Sequence, residues 1–133
     1  MELEKIKNDI LGKDYSLSLA YISEKKSKAI NKKYRGQTKP TNVLSFSLGK
    51  NSGEILLCRS VIKKELQKFG RNFSELVQFL VIHGMLHLKG MQHSSRMERA
   101  EEKYDQKYFR RHRRRIRYDQ SSGGRIHQGR KKS

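Results

Sequence analysis

From Leu76 to Leu88 the chain is apolar on nearly every side, through Leu76, Val77, Phe79, Leu80, Val81, Ile82, Leu86 and Leu88. A helix that is hydrophobic all round belongs inside a protein rather than on its surface. Into this buried segment the sequence sets His83 and His87, and His93 follows after a glycine, in the spacing His-x3-His-x5-His. Residues four apart on a helix differ by about 40° around its axis, so His83 and His87 leave it from one face. Gly90 ends the helix, as glycine often does just past a last turn, and the returning chain can carry His93 to the same point. Three imidazoles on one ion leave a fourth tetrahedral position open, which is the arrangement of a catalytic zinc rather than a structural one. One histidine on an apolar face is ordinarily a hydrogen-bonded core residue. Three at this spacing, with a glycine between the second and third, read as metal ligands in the dry shell that makes a bound cation potent.

The rest of the composition bounds the partners. A chain of 133 residues is one domain's worth. Its single cysteine, Cys58, excludes an internal disulfide and a cysteine-based zinc finger. No apolar run approaches the length of a membrane span, and the opening Met1-Glu2-Leu3-Glu4-Lys5 lacks the apolar stretch of a signal peptide. The expected location is cytoplasmic, without a membrane partner. Net charge is +18 from 31 Lys/Arg and 13 Asp/Glu. Ten of those cations and one acid, Asp119, lie from Arg110 onward, so the tail and the body carry equal shares. Charge runs are commonly solvated faces, yet an excess in body and tail alike makes nucleic acid the expected polyanionic partner.

Along the chain, Leu3, Ile6, Ile10 and Leu11 trace a weak amphipathic helix that Gly12-Lys13-Asp14 breaks. Ser16 to Ile22 alternates like a strand with one buried face. Ser23 is expected to cap a basic helix to about Tyr34, with Ala29 and Ile30 inward, before a loop through Pro40. Apolar runs from Asn42 to Ser47 and from Glu54 to Arg59 form a strand pair across the Gly49–Gly53 connection. Ser60 should cap a helix to Phe69, and Ser74 the histidine helix. Ser94 or Ser95 should open a charge-rich last helix, with Met97, Ala100, Tyr104 and Tyr108 at helical spacing. From Arg110 the tail is too poor in apolar residues to order itself. The expected organisation is a metal-dependent domain over residues 1–109 and a disordered basic tail over 110–133. The fold class is α/β, a small mixed sheet covered by helices, with a metzincin-like metal-site helix.

That helix spacing, with a glycine three residues past the second histidine, marks metzincin proteases, which carry a glutamate beside the first histidine as general base. Gly84 stands there and can move no proton, so proteolysis is disfavoured. The run His83-Gly84-x-Leu86-His87-Leu88-x-Gly90-x-x-His93 resembles the signature of the YbeY endoribonucleases, bacterial ribosomal RNA maturation factors. Upstream, Asn31-Lys32-Lys33-Tyr34-Arg35-Gly36, then Thr41-Asn42-Val43-Leu44-Ser45-Phe46, resembles the family's arginine-containing loop and its Thr-Asp-Val-Leu-Ser-Phe strand. Gly53-Glu54-Ile55-Leu56-Leu57-Cys58 is similar to its Gly-Asp-Ile-x-x-Cys segment, and the resemblance extends over roughly residues 15–109.

The resemblance implies a compact α/β fold related to the metzincins and one Zn2+ or another divalent ion on His83, His87 and His93. It implies cleavage of single-stranded RNA in ribosomal RNA processing, notably at the small subunit's 3′ end, and a part in ribosome quality control. Ribosomal RNA and the small ribosomal subunit are the implied partners. The family's functional arginine falls on Arg35, whose guanidinium suits a phosphate. The chain departs from the family in Met91-Gln92, where Tyr-Asp is usual, in Asn42 for aspartate and in Ser47 for proline. Losing a carboxylate at Gln92 bears on how the ligands are oriented. No general base stands out. A non-catalytic ribosome assembly factor, binding ribosomal RNA with a structural metal, is the second reading. Cys58 reads as a small buried hydrophobe, Glu54 as a strand-edge acid, and Tyr104 and Tyr108 as core, while His112 and His127 have no partner at ligand spacing.

Overall fold

The computed structural model describes residues 2–108; Phe109 and the tail expected over 110–133 lie outside them. In chain order the elements are α1 (Leu3–Ile10), β1 (Ser16–Ile22), α2 (Glu24–Arg35), β2 (Val43–Gly49) and β3 (Ser52–Cys58). They continue with α3 (Arg59–Lys64), α4 (Leu66–Phe69), α5 (Phe73–Leu88) and α6 (Ser95–Tyr108). The sheet has the order β1-β3-β2, with β3 parallel to β1 and antiparallel to β2. This is the small mixed sheet expected. Among the described residues no helix is long and apolar enough to cross a membrane.

The central place of β3 explains its composition. Ile55, Leu56, Leu57 and Cys58 are buried without alternation, the pattern of a strand covered on both faces. Ile55 and Leu57 join Val43 and the apolar residues of α5 in the main core. Leu44, Phe46 and Leu56 point the other way and pack with Ile22 and with Ile30 of α2. On the edge strand β1, Leu17 and Leu19 pack inward between exposed Ser16, Ser18 and Ala20, as its alternation predicts.

The all-apolar segment is indeed the buried centre: within α5, from Leu76 to His87, Gln78 is the single position that is not buried. Its N-terminus departs from expectation. Asn72 rather than Ser74 caps it, accepting the Glu75 N–H at 2.9 Å while Glu75 accepts the Asn72 N–H at 3.1 Å. This reciprocal capping box satisfies two helix-end donors at once, which a serine two residues later cannot do. Ser23 does cap α2.

Two other details differ. The helix expected from Ser60 to Phe69 is divided at Glu65, whose N–H turns to the carbonyl of Ile62. Ser60 is no cap; its hydroxyl donates to Glu24 of α2. On α2, Ala29 is exposed, and the inward positions beside Ile30 are Ser27 and Asn31. Ser27 Oγ donates to the Thr41 carbonyl and accepts its N–H, each at 2.9 Å, and Asn31 Nδ2 donates to the Lys39 carbonyl at 2.7 Å. Hydrogen bonds to the following loop therefore hold much of α2 where apolar packing was expected.

Candidate metal centre

The structure gathers the three histidines. One ligand nitrogen from each of His83, His87 and His93 lies within 4.8 Å of the other two. His83 and His87 point from the same face of α5, with their Nε2 atoms 2.9 Å apart. The return of His93 depends on Gly90, whose φ of +109° is a conformation that side chains resist. There the Gly90 N–H bonds the His87 carbonyl and the Met91 N–H bonds the Leu86 carbonyl, which folds the chain back over the end of the helix. His83 and His87 are buried and His93 is exposed, so the cluster is walled by protein on one side and open on the other.

The outer nitrogens of the two buried rings are both committed. His87 Nδ1–H donates to the Met91 carbonyl at 3.0 Å, so the glycine turn that returns His93 also orients His87. His83 Nδ1–H donates to Glu101, a carboxylate that α6 buries against the ring. A neutral imidazole has one N–H, so both Nε2 atoms present bare lone pairs to one another. Burial, and secondarily the charge of His93, holds His83 well below the usual histidine range, which opposes resolving this contact with a second proton. A cation resolves it. Three neutral nitrogens, two with hydrogen-bonded partners behind them, are the donor set that zinc and related divalent ions take. The residues present therefore fit a metal ion.

Gly84 has a structural reason as well as a chemical one. A Cβ at this position would stand 2.9 Å from Ile55 Cδ1 and 3.2 Å from its Cγ1, so the missing side chain lets α5 approach β3 without displacing Ile55.

Sequence reasoning passed over Glu101, Asp105 and Arg71. Glu101 is one charge among many on α6, yet it lies on the helical face of Met97 and Tyr104, and so does Asp105. An acid inside an apolar stripe was the available signal. Asp105 forms a forked pair with buried Arg71, at 3.0 and 2.9 Å. Arg71 also lies 5.5 Å from the Phe79 ring centre, and Phe79 stacks on His83. Arg35 is placed apart from the histidines: it ends α2, which packs on the face of the sheet opposite α5. Glu54 lies on that same α2 side, between Ile55 and Gly53 in β3. Cys58 is buried, and Tyr104 and Tyr108 pack against the core, as expected. Gln92 is exposed, and the position before it contributes a main-chain carbonyl that any residue would supply. His112 and His127 lie outside the described residues.

The sequence model of the family described as Endoribonuclease YbeY matches residues 2–112. The Endoribonuclease YbeY of Buchnera aphidicola subsp. Schizaphis graminum is 34% identical over 111 residues, a match covering 70% of each chain. That of Thermosipho melanesiensis is 29% identical over 118 residues, covering 83% of this chain and 86% of the other. Among solved structures, the solution structure of TM1509 from Thermotoga maritima is similar at a TM-score of 0.58 and 33% identity, covering 78% of this chain and 74% of that one.

Proposed function

Because the chain belongs to the YbeY endoribonuclease family, we propose that it is a metal-dependent endoribonuclease cleaving single-stranded RNA. Its proposed substrate is ribosomal RNA, chiefly the 3′ end of the small-subunit RNA, with a part in ribosome quality control. The proposed workplace is the cytoplasm, on the small ribosomal subunit. The observation that carries the reading is the trio of histidines whose buried members turn bare Nε2 lone pairs toward one point. An all-imidazole donor set favours zinc. A bound ion of this kind polarises a phosphoryl oxygen and acidifies water. The protein's own groups do the positioning: Glu101 and the Met91 carbonyl hold His83 and His87 in register. His93, exposed on the turn between α5 and α6, would supply the third nitrogen. Arg35 is assigned to phosphate, through charge-assisted hydrogen bonds. Gly84 leaves the centre without the proteases' general base, which disfavours a peptidase.

The test uses the purified full chain and His87→Ala. Bound metal is quantified, and both proteins are incubated with single-stranded and duplex RNA at fixed salt. The wild type should carry about one ion and cut the single strand, with both properties lost in the variant. Equal cleavage by the two would expose a contaminating nuclease and remove the enzymatic claim. Tight binding without cleavage by metal-loaded wild type would instead support the assembly-factor reading.

A further inference from the structure

The exposed side of α2 carries a row of cations of which the proposed chemistry uses only the last, Arg35. Lys25, Lys28, Lys32 and Arg35 follow at intervals of three, four and three residues, so they share one face of the helix, and all four are exposed. The inward face is taken by Ser27, Ile30 and Asn31, which fixes the cationic face outward. Each step along the row rises about 5 Å, of the order of the spacing between successive phosphates on a nucleic-acid strand.

An ordinary solvated helix looks different, and this protein contains one. The solvent side of α6 mixes signs, Arg96, Glu98, Arg99, Glu102 and Lys103. On α2 the one acid is Glu24, already engaged by Ser60 and Lys64 of α3. Like charges one turn apart repel and oppose helix formation, so an uninterrupted row is a cost that a polyanion would offset. At the end of the row Tyr34 is partly exposed, its ring edge-on to Phe46 and Lys33 Nζ 5.3 Å from the ring centre, so an aromatic ring and a further cation stand beside Arg35.

We propose that the Lys25-Lys28-Lys32-Arg35 face of α2 is a docking track for the sugar-phosphate backbone of single-stranded RNA, extending from Arg35 away from the metal centre. This rests on the endoribonuclease reading and deepens it. Substrate is held by a segment remote from the histidines, on the opposite face of the sheet.

Two full-length triple variants test the track, each removing three positive charges. One is Lys25→Gln/Lys28→Gln/Lys32→Gln. The control is Lys5→Gln/Lys13→Gln/Lys68→Gln, whose lysines are also exposed but lie off α2. Both are made in the His87→Ala background so that RNA stays intact, and affinity for a single-stranded oligonucleotide is measured across salt concentrations. The α2 variant should flatten the slope of log affinity against log salt by about 2, at ~0.7 per lost phosphate contact, and weaken binding at least tenfold near 0.1 M salt. The control should keep a slope close to that of the parent. Equal changes in the two would mean that net charge alone attracts RNA, and no change in the α2 variant would mean that the strand runs elsewhere. If the α2 variant instead loses binding to phosphatidylserine vesicles and keeps RNA, the face serves a membrane. Each of these overturns the proposal. Loss of cleavage in metal-loaded wild type, with the α2-dependent slope retained, would remove the catalytic reading and leave the track standing.

Discussion

At Glu101 one side chain decides how a ligand on the preceding helix presents itself. Replacing it by alanine removes the acceptor of the His83 Nδ1–H, freeing the ring to adopt the other tautomer. Metal affinity should fall about 10- to 100-fold in Glu101→Ala and less in Glu101→Gln, which keeps an acceptor oxygen. Competition against a chromophoric chelator measures both, and equal affinities for wild type and the alanine variant would remove the role. Gly84→Ala acts through space rather than charge. Its methyl meets Ile55 Cδ1, and overpacking of this kind costs about 1–3 kcal/mol. Ile55→Val deletes the very atom at 2.9 Å, so it should restore part of that loss in denaturant unfolding, although alone it costs about 0.5–1.5 kcal/mol. A strictly additive double mutant would contradict the close approach. The ligand histidines were legible because helix period and a glycine turn determine where His83, His87 and His93 go. Glu101 was not read, because a glutamate among arginines on α6 resembles solvent decoration until its neighbours Met97 and Tyr104 place it on the inward face.

The element that the residue pattern conveyed least well is α6. Its inward side uses Met97 in the core, Glu101 on His83 and Asp105 on Arg71, so polar contacts do much of the docking. Asp105→Ala strands a buried guanidinium and should cost about 3–5 kcal/mol in urea unfolding. Adding Arg71→Met should recover most of that loss, since a matched apolar pair replaces a matched ionic one. If the double variant is no more stable than Asp105→Ala, the pair is not the reason. Farther along, Asp9 of α1 accepts hydrogen bonds from Lys107 and Tyr108, which hold its carboxyl below the usual carboxylate range. A lowered folded value contributes stability above the unfolded value near 3.8, and that contribution is lost as pH falls through the folded one. Asp9→Asn should therefore lie a few tenths to about 1 kcal/mol below wild type at neutral pH and converge with it in strong acid. A gap that persists there would assign the effect to packing. Other elements were legible where apolar period alone sets them, as in β1 and α5. They were misread where hydrogen bonding decides, as with the Asn72 cap and with Ser27 and Asn31 of α2.

For the molecule as a whole, the parallel pairing of β1 with β3 is the part no local pattern announces. β2 and β3 are neighbours across a short turn, whereas Ser16 meets Ser52 only after α2 and β2 have intervened. Beside the apolar core that joins α5 to the sheet, the histidine cluster ties that helix to the turn after it and, through Glu101, to α6. An ion bound there links to global stability: at free metal a hundred times Kd it contributes about 2.7 kcal/mol, on the order of 10 °C in melting temperature for a domain of this size. The ligands should divide this effect unequally. His93 is exposed, so His93→Ala should abolish the metal-induced rise in melting temperature and leave the metal-free value near that of wild type. His83 is buried against a carboxylate, so His83→Ala removes the ring partner of Glu101 and should lower the metal-free value as well. Calorimetry with and without a chelator separates the two contributions. A chain that carries one equivalent of ion, yet melts at the same temperature after its removal, would show that the ion sits elsewhere than between the two buried rings.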